Sequence, residues 1–127
     1  MYGNVYHLKL FYCYNNIQYL KIKRFIKRII EEIYMKELVQ RYNKYIKLTE
    51  KALKLVKLKK GLSKEQIEIA NDILDLAGMY FNDARYFNSK REVINAFAAV
   101  NYSHAFLDAG VRMKLFDVKD SKLFMVD

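Results

Sequence analysis

From Ile22 onward apolar side chains return every three or four residues. Ile22, Phe25, Ile26, Ile29, Ile30 and Ile33 are interleaved with Lys23, Arg24, Lys27, Arg28 and Glu31, the spacing of a helix with one apolar face. A second run, Val39, Tyr42, Ile46, Thr49, Leu53 and Val56, keeps the same steps, with a break in register expected near residues 34–36. Proline is absent and no glycine falls between Gly3 and Gly61, so no residue punctuates this interval. The helix is predicted to end at Lys59-Lys60-Gly61, where lysines suit the negative terminus and glycine accepts a left-handed conformation.

Ser63-Lys64-Glu65-Gln66 reads as a capping box, in which hydroxyl and amide side chains take up backbone groups left unpaired at a helix start. The helix that follows carries a predicted buried stripe of Ile67, Ala70, Ile73, Leu74, Ala77, Tyr80, Phe81, Ala84 and Phe87. Asn88 is the expected left-handed terminator, and Ser89-Lys90-Arg91-Glu92 repeats the box for a last helix. That helix has Val93, Phe97, Val100, His104, Leu107 and Val111 on one seam. Ala96, Ala99, Ser103, Phe106, Gly110 and Met113 form the next, its small residues permitting close helix approach. The short connection at residues 88–90 makes the last two helices antiparallel neighbours. The predicted fold is all-α, a three-helix up-and-down bundle over residues 35–127 with an N-terminal extension over residues 1–34. Within that extension, Val5 to Tyr14 is aromatic-rich with irregular alternation and reads as a short strand or a loosely docked tail. The bundle is expected to be self-sufficient from about Met35, itself a candidate start of translation.

Length and composition agree with one compact domain: 127 residues, 53% hydrophobic and 29% charged, enough to bury a core without disulfides. No apolar run approaches the ~18 residues of a membrane-spanning helix, and the N-terminus lacks a secretory signal pattern. The lone Cys13 cannot form an internal disulfide, which points to a reducing, cytoplasmic setting. The net charge of +9 is unevenly placed: residues 1–60 hold 15 Lys/Arg against 4 Asp/Glu, and residues 61–127 hold 8 against 10. Lys44, Lys47, Lys51 and Lys54 line one side of the first bundle helix, a row that reads as a solvated face or as a contact for nucleic acid or a partner. Aromatic stacking residues are not interleaved with them, which weakens a single-strand recognition reading.

A candidate catalytic constellation is the set Asp83, Asn101, His104 and Asp108. His104 lies within an apolar stripe, where a histidine is expected to be a buried, hydrogen-bonded structural residue. The only other histidine is His7. No HExxH, CxxC, glycine-rich phosphate loop or nucleophile elbow occurs. The four residues are therefore read as a buried polar cluster, with no catalytic residue, no cofactor and no metal assigned.

Three stretches carry a family resemblance: RYNKYIKLTEKALKLVKL; Tyr80-Phe81-x-Asp83-Ala84-x-Tyr86-Phe87; and Ala99 to Arg112 with Leu115-Phe116-Asp117-Val118. Over roughly residues 36–118 the chain resembles the archaeal domain of unknown function 357 family. The resemblance implies a three-helix up-and-down bundle without assigned catalytic activity, in an archaeal cytoplasm. Where such proteins often have a glycine before the last helix, this chain has Asn88-Ser89-Lys90. The functional expectation is a non-enzymatic module that binds a protein partner or itself. The alternative is an RNA-associated basic helical protein. Helical nucleases of the HEPN type place an arginine close before their histidine, whereas Arg91 here lies thirteen positions before His104.

Overall fold

A computed structural model describes residues 3–119 and 122–124. Three helices follow in order: α1, Gly3–Leu55; α2, Lys64–Ser89; and α3, Val93–Arg112. The fold is all-α, and the chain divides into two units, residues 1–37 and 38–127.

In the first unit the backbone is helical from Gly3 onward, so the short strand that is one reading of Val5 to Tyr14 is not formed. Aromatic and β-branched residues favour strands only weakly against context, and a nucleated helix propagates at little cost where neither proline nor glycine stops it. The backbone also stays helical through residues 34–36, where the apolar register shifts.

The second unit is a three-helix up-and-down bundle. From α1, Tyr42, Thr49 and Ala52 are buried, with Ile46, Leu53 and Val56 at their edges. From α2, Ala70, Ile73, Ala77 and Ala84 are buried, but Ile67, placed on the buried stripe by its spacing, is exposed. From α3, Ala96, Ala99, Val100, Ser103, Leu107 and Gly110 are buried. Small residues thus bring the α2 and α3 backbones together, and the Ser103 hydroxyl donates to the Ala77 carbonyl at 2.6 Å across that seam. This bond satisfies a hydroxyl that would be costly to bury alone.

The helix ends differ from expectation in instructive ways. The Ser63 box is present: the Gln66 N–H donates to Ser63 Oγ at 3.2 Å, and the Ser63 N–H donates to Gln66 Oε1 at 2.9 Å. The second box is not. Ser89 is the last residue of α2, its hydroxyl donates back to the Tyr86 carbonyl at 2.6 Å, and α3 starts after Glu92 without a side-chain cap. The left-handed residue is Arg91, φ 62°, rather than Asn88. The N–H groups of Arg91 and Glu92 donate to the carbonyls of Asn88 and Phe87, a Schellman closure of the helix end. α3 ends the same way, with Lys114 at φ 58° and N–H bonds from Lys114 to Val111 and from Leu115 to Gly110. Ser63→Ala should therefore lower stability by ~1 kcal/mol, measured by urea unfolding, whereas Ser89→Ala should cost distinctly less. Equal losses would contradict the asymmetry.

α1 ends at Leu55, short of Lys59-Lys60-Gly61. Residues 57–59 leave the helix to pair antiparallel with residues 115–117. Lys59 N–H donates to the Leu115 carbonyl at 2.9 Å and Asp117 N–H to the Lys57 carbonyl at 2.8 Å, flanking a Leu58–Phe116 bridge. Gly61, φ 81°, makes the turn beyond. Backbone pairing thus replaces the last helical turn, and it fixes Leu115 and Phe116 in the core. Leu123 and Phe124 join them, so a non-helical tail completes the cluster built on Ala52, Ala70, Ile73, Ala77 and Leu107. A second cluster gathers Tyr42, Ala84, Ala96, Ala99 and Val100.

Candidate functional site

Thr49 of α1 is fully buried, and its hydroxyl oxygen lies 3.1 Å from Nδ1 of His104 on α3. His104 Nε2 lies 3.9 Å from Asp108 Oδ1, one turn further along α3. Which of the two groups donates depends on the imidazole tautomer; the tautomer in which Nδ1 accepts from the threonine carries its proton on Nε2, on the side of Asp108. The order hydroxyl, imidazole, carboxylate is that of a nucleophile with its base and orienting acid. Two measurements separate this group from such a site. Thr49 has no exposed surface, so no substrate atom reaches Oγ1 in this structure. The 3.9 Å separation also exceeds a hydrogen-bonding distance. The arrangement ties α1 to α3 through polar groups in a mostly apolar interior.

Of the four residues expected to cluster, the structure brings His104 and Asp108 together. Asn101 is half-buried one turn earlier on α3, beside a shallow apolar hollow formed with Ala98, Tyr102 and Ala105. Asp83 is exposed on α2, which corrects its place in a buried cluster: on the helix it falls beside the inward-facing Ala84 and not with it. Thr49 is the missed member. Its contact with His104 spans 55 residues, and a polar β-branched residue in an apolar run is the one local signal that could have suggested it.

Lys44, Lys47, Lys51 and Lys54 are all exposed. The row is not purely cationic, because Glu50 lies within it and pairs with Lys54 at 3.1 Å. Such an exposed pair contributes little stability, but it places an acid where a phosphate track would need a base. Lys47 and Glu50 also border a cleft of about 410 Å³ between α1 and α2, with Tyr42 and Ile46 on one wall and Phe81 and Arg85 on the other. Tyr42 donates to the Ala84 carbonyl at 3.3 Å. Burial pushes its phenol above the ordinary tyrosine range, with the Arg85 guanidinium pulling the other way. Among the described residues, no group of three or more His, Cys, Asp or Glu is placed to hold a metal ion.

The aromatic residues that recur along α2 and α3 form a stack. Tyr80 lies between Tyr102 and Phe106, with ring centroids 5.3 and 5.7 Å apart and planes within 22° of parallel. On the α1 side, Tyr45 meets Phe97 edge-on at 5.8 Å. These contacts lock helix faces together through ring geometry.

The first unit presents a different surface. Large apolar side chains from Tyr6 to Met35 are exposed, among them Phe11, Tyr19, Ile22, Phe25, Ile26, Ile30 and Ile33. On the polar side Lys27 and Arg28 reach Glu31 and Glu32 at 3.7 and 3.9 Å, the i,i+4 pairs of a solvated helix face. Among the described residues, no helix is long and apolar enough to cross a membrane.

Comparison with curated proteins and with solved structures gives no match. The family model described as "Protein of unknown function (DUF357)" matches residues 44–116, from the lysine row of α1 through α2 and α3 to Phe116 at the bridge. The chain thus belongs to the DUF357 family of proteins of unknown function.

Proposed function

We propose that this chain is a non-enzymatic protein-interaction module of the cytoplasm, with the first unit of α1 as its binding surface. The observation that carries this reading is the run of exposed apolar side chains from Tyr6 to Met35. Apolar surface on this scale marks an interaction site, and the charged residues opposite keep the helix amphipathic from Ile22 to Ile33. The non-enzymatic part of the reading draws on His104, whose ring is engaged by a threonine buried from substrate. The exposed Cys13 suits a reducing compartment.

Photo-crosslinking tests the reading. With benzoylphenylalanine in place of Ile26 in living cells, irradiation should shift the chain into a discrete protein adduct. The same probe in place of Lys27, on the polar face, should give much less. An Ile26 probe that yields only uncrosslinked chain or lipid adducts would refute the module.

A further inference from the structure

The exposed face of α1 has a pattern of its own. Steps of four and three connect Leu8, Tyr12, Asn15 and Tyr19, then Ile22, Ile26, Ile29 and Ile33. These are the a and d positions of a heptad repeat, with Tyr12, Tyr19, Ile26 and Ile33 at a and the others at d. The four isoleucines are 57%, 50%, 37% and 60% exposed in chain order. Phe25 and Ile30, at g and e, widen the seam and are about half exposed as well.

We infer that this face is covered by further copies of the same chain, aligned in parallel as a coiled coil of three or four strands. The inference rests on the interaction-module reading and names the partner. Three observations select a parallel copy. In that alignment like meets like along the seam, and the one polar seam residue, Asn15, meets another Asn15. An amide paired across the seam keeps a hydrogen-bond partner that a shifted alignment, or burial in lipid, would remove, which favours the in-register copy.

The flanks give the second observation. Parallel pairing sets each g position against the e position five residues on in the neighbour, so Phe25 meets Ile30. It also sets Gln18 against Lys23, while Lys21, Arg24, Lys27 and Arg28 occupy outer positions. These four cations therefore point away from the seam, leaving Lys23 on its flank, and two of the four are already paired to Glu31 and Glu32. Over residues 22–33 isoleucine fills both a and d, which favours more than two strands.

Area is the third. The aromatic members alone, Tyr12, Tyr19 and Phe25, would bury ~150–250 Å² each if fully covered, and the isoleucines add several more side chains of buried apolar area. A stable association buries ~800 Å² per partner.

Sedimentation equilibrium of the full chain is the test. The expected mass is three or four times 15.2 kDa, falling to one-fold when Ile26→Lys and Ile29→Lys are combined, with the helical signal of the bundle retained. In a Cys13→Ser background, Asn15→Cys should close an intermolecular disulfide on mild oxidation, as only a parallel seam brings residue 15 against itself. A chain that stays monomeric at tens of micromolar overturns the inference. So does an oligomer indifferent to the lysines, an oligomer in which residue 15 fails to crosslink, or a monomer that binds phosphatidylserine vesicles through these isoleucines. A monomer whose Ile26 probe still captures a different protein would sink the self-association alone and leave the module reading standing.

Discussion

Replacing Phe116 by alanine is expected to destabilise the bundle unit by ~3–5 kcal/mol, the range for truncating a buried aromatic. The ring is 4% exposed and belongs to the cluster of Ala52, Ala70, Ile73, Leu107, Leu123 and Phe124. Its backbone is held on both sides by the bonds between residues 57–59 and 115–117, so neighbouring groups have little freedom to collapse into the space left behind. A loss of this size is a large fraction of the roughly 5–15 kcal/mol that stabilises most domains. Urea unfolding should show a marked fall in midpoint. A loss below ~1 kcal/mol would mean that the bridge segment is not part of the core.

Gly110→Ala should destabilise by ~2 kcal/mol although it improves helix propensity. A Cβ at Gly110 would overlap the Phe116 ring, and overpacking a filled core costs ~1–3 kcal/mol or more, against a gain of about 1 kcal/mol from replacing glycine inside a helix. The ring cannot withdraw, because the segment carrying it is pinned to residues 57–59. Gly78→Ala is the matched control: a Cβ there meets nothing within 4 Å, so the propensity gain should appear alone and stabilise by about 1 kcal/mol. In a Phe116→Ala background the penalty at Gly110 should vanish, a non-additivity expected of two groups in contact. Equal effects at the two glycines, or a Gly110 penalty unchanged without the ring, would contradict this packing.

What the sequence disclosed was local. The Ser63 box was legible because its four residues hold all of its chemistry. Ala96, Ala99, Ser103 and Gly110 were legible as a close-packing face because a helical period places them together. The serine at 89 shows the limit of that reading, since the same four-residue pattern served a Schellman closure whose left-handed residue is an arginine. Long side chains at Arg91 and Lys114 give no sign that their backbone turns left-handed. The bridge at Leu58 and Phe116 and the tail residues Leu123 and Phe124 were hidden for another reason: they pack without a period, and their partners lie far along the chain. Thr49 and His104 meet for the same non-local reason, and Asp83 left the polar group because one position on a helix rotates a side chain by ~100°.

The lysine row and the apolar face of α1 are two surfaces of different kinds. The first is charged, exposed and interrupted by the Lys54–Glu50 pair. The second exposes large apolar groups that water solvates poorly, each worth roughly 1.5–3 kcal/mol on full burial. That difference in magnitude is why association is assigned to the apolar face and the lysines to a solvated side.

Amide hydrogen exchange of the full chain, followed residue by residue over a range of protein concentration, tests that assignment most directly. If the face of residues 19–33 is covered by copies of the chain, protection there should rise with concentration, while residues 93–112 keep the same protection throughout. Exchange over residues 19–33 that stays fast at every concentration would contradict it.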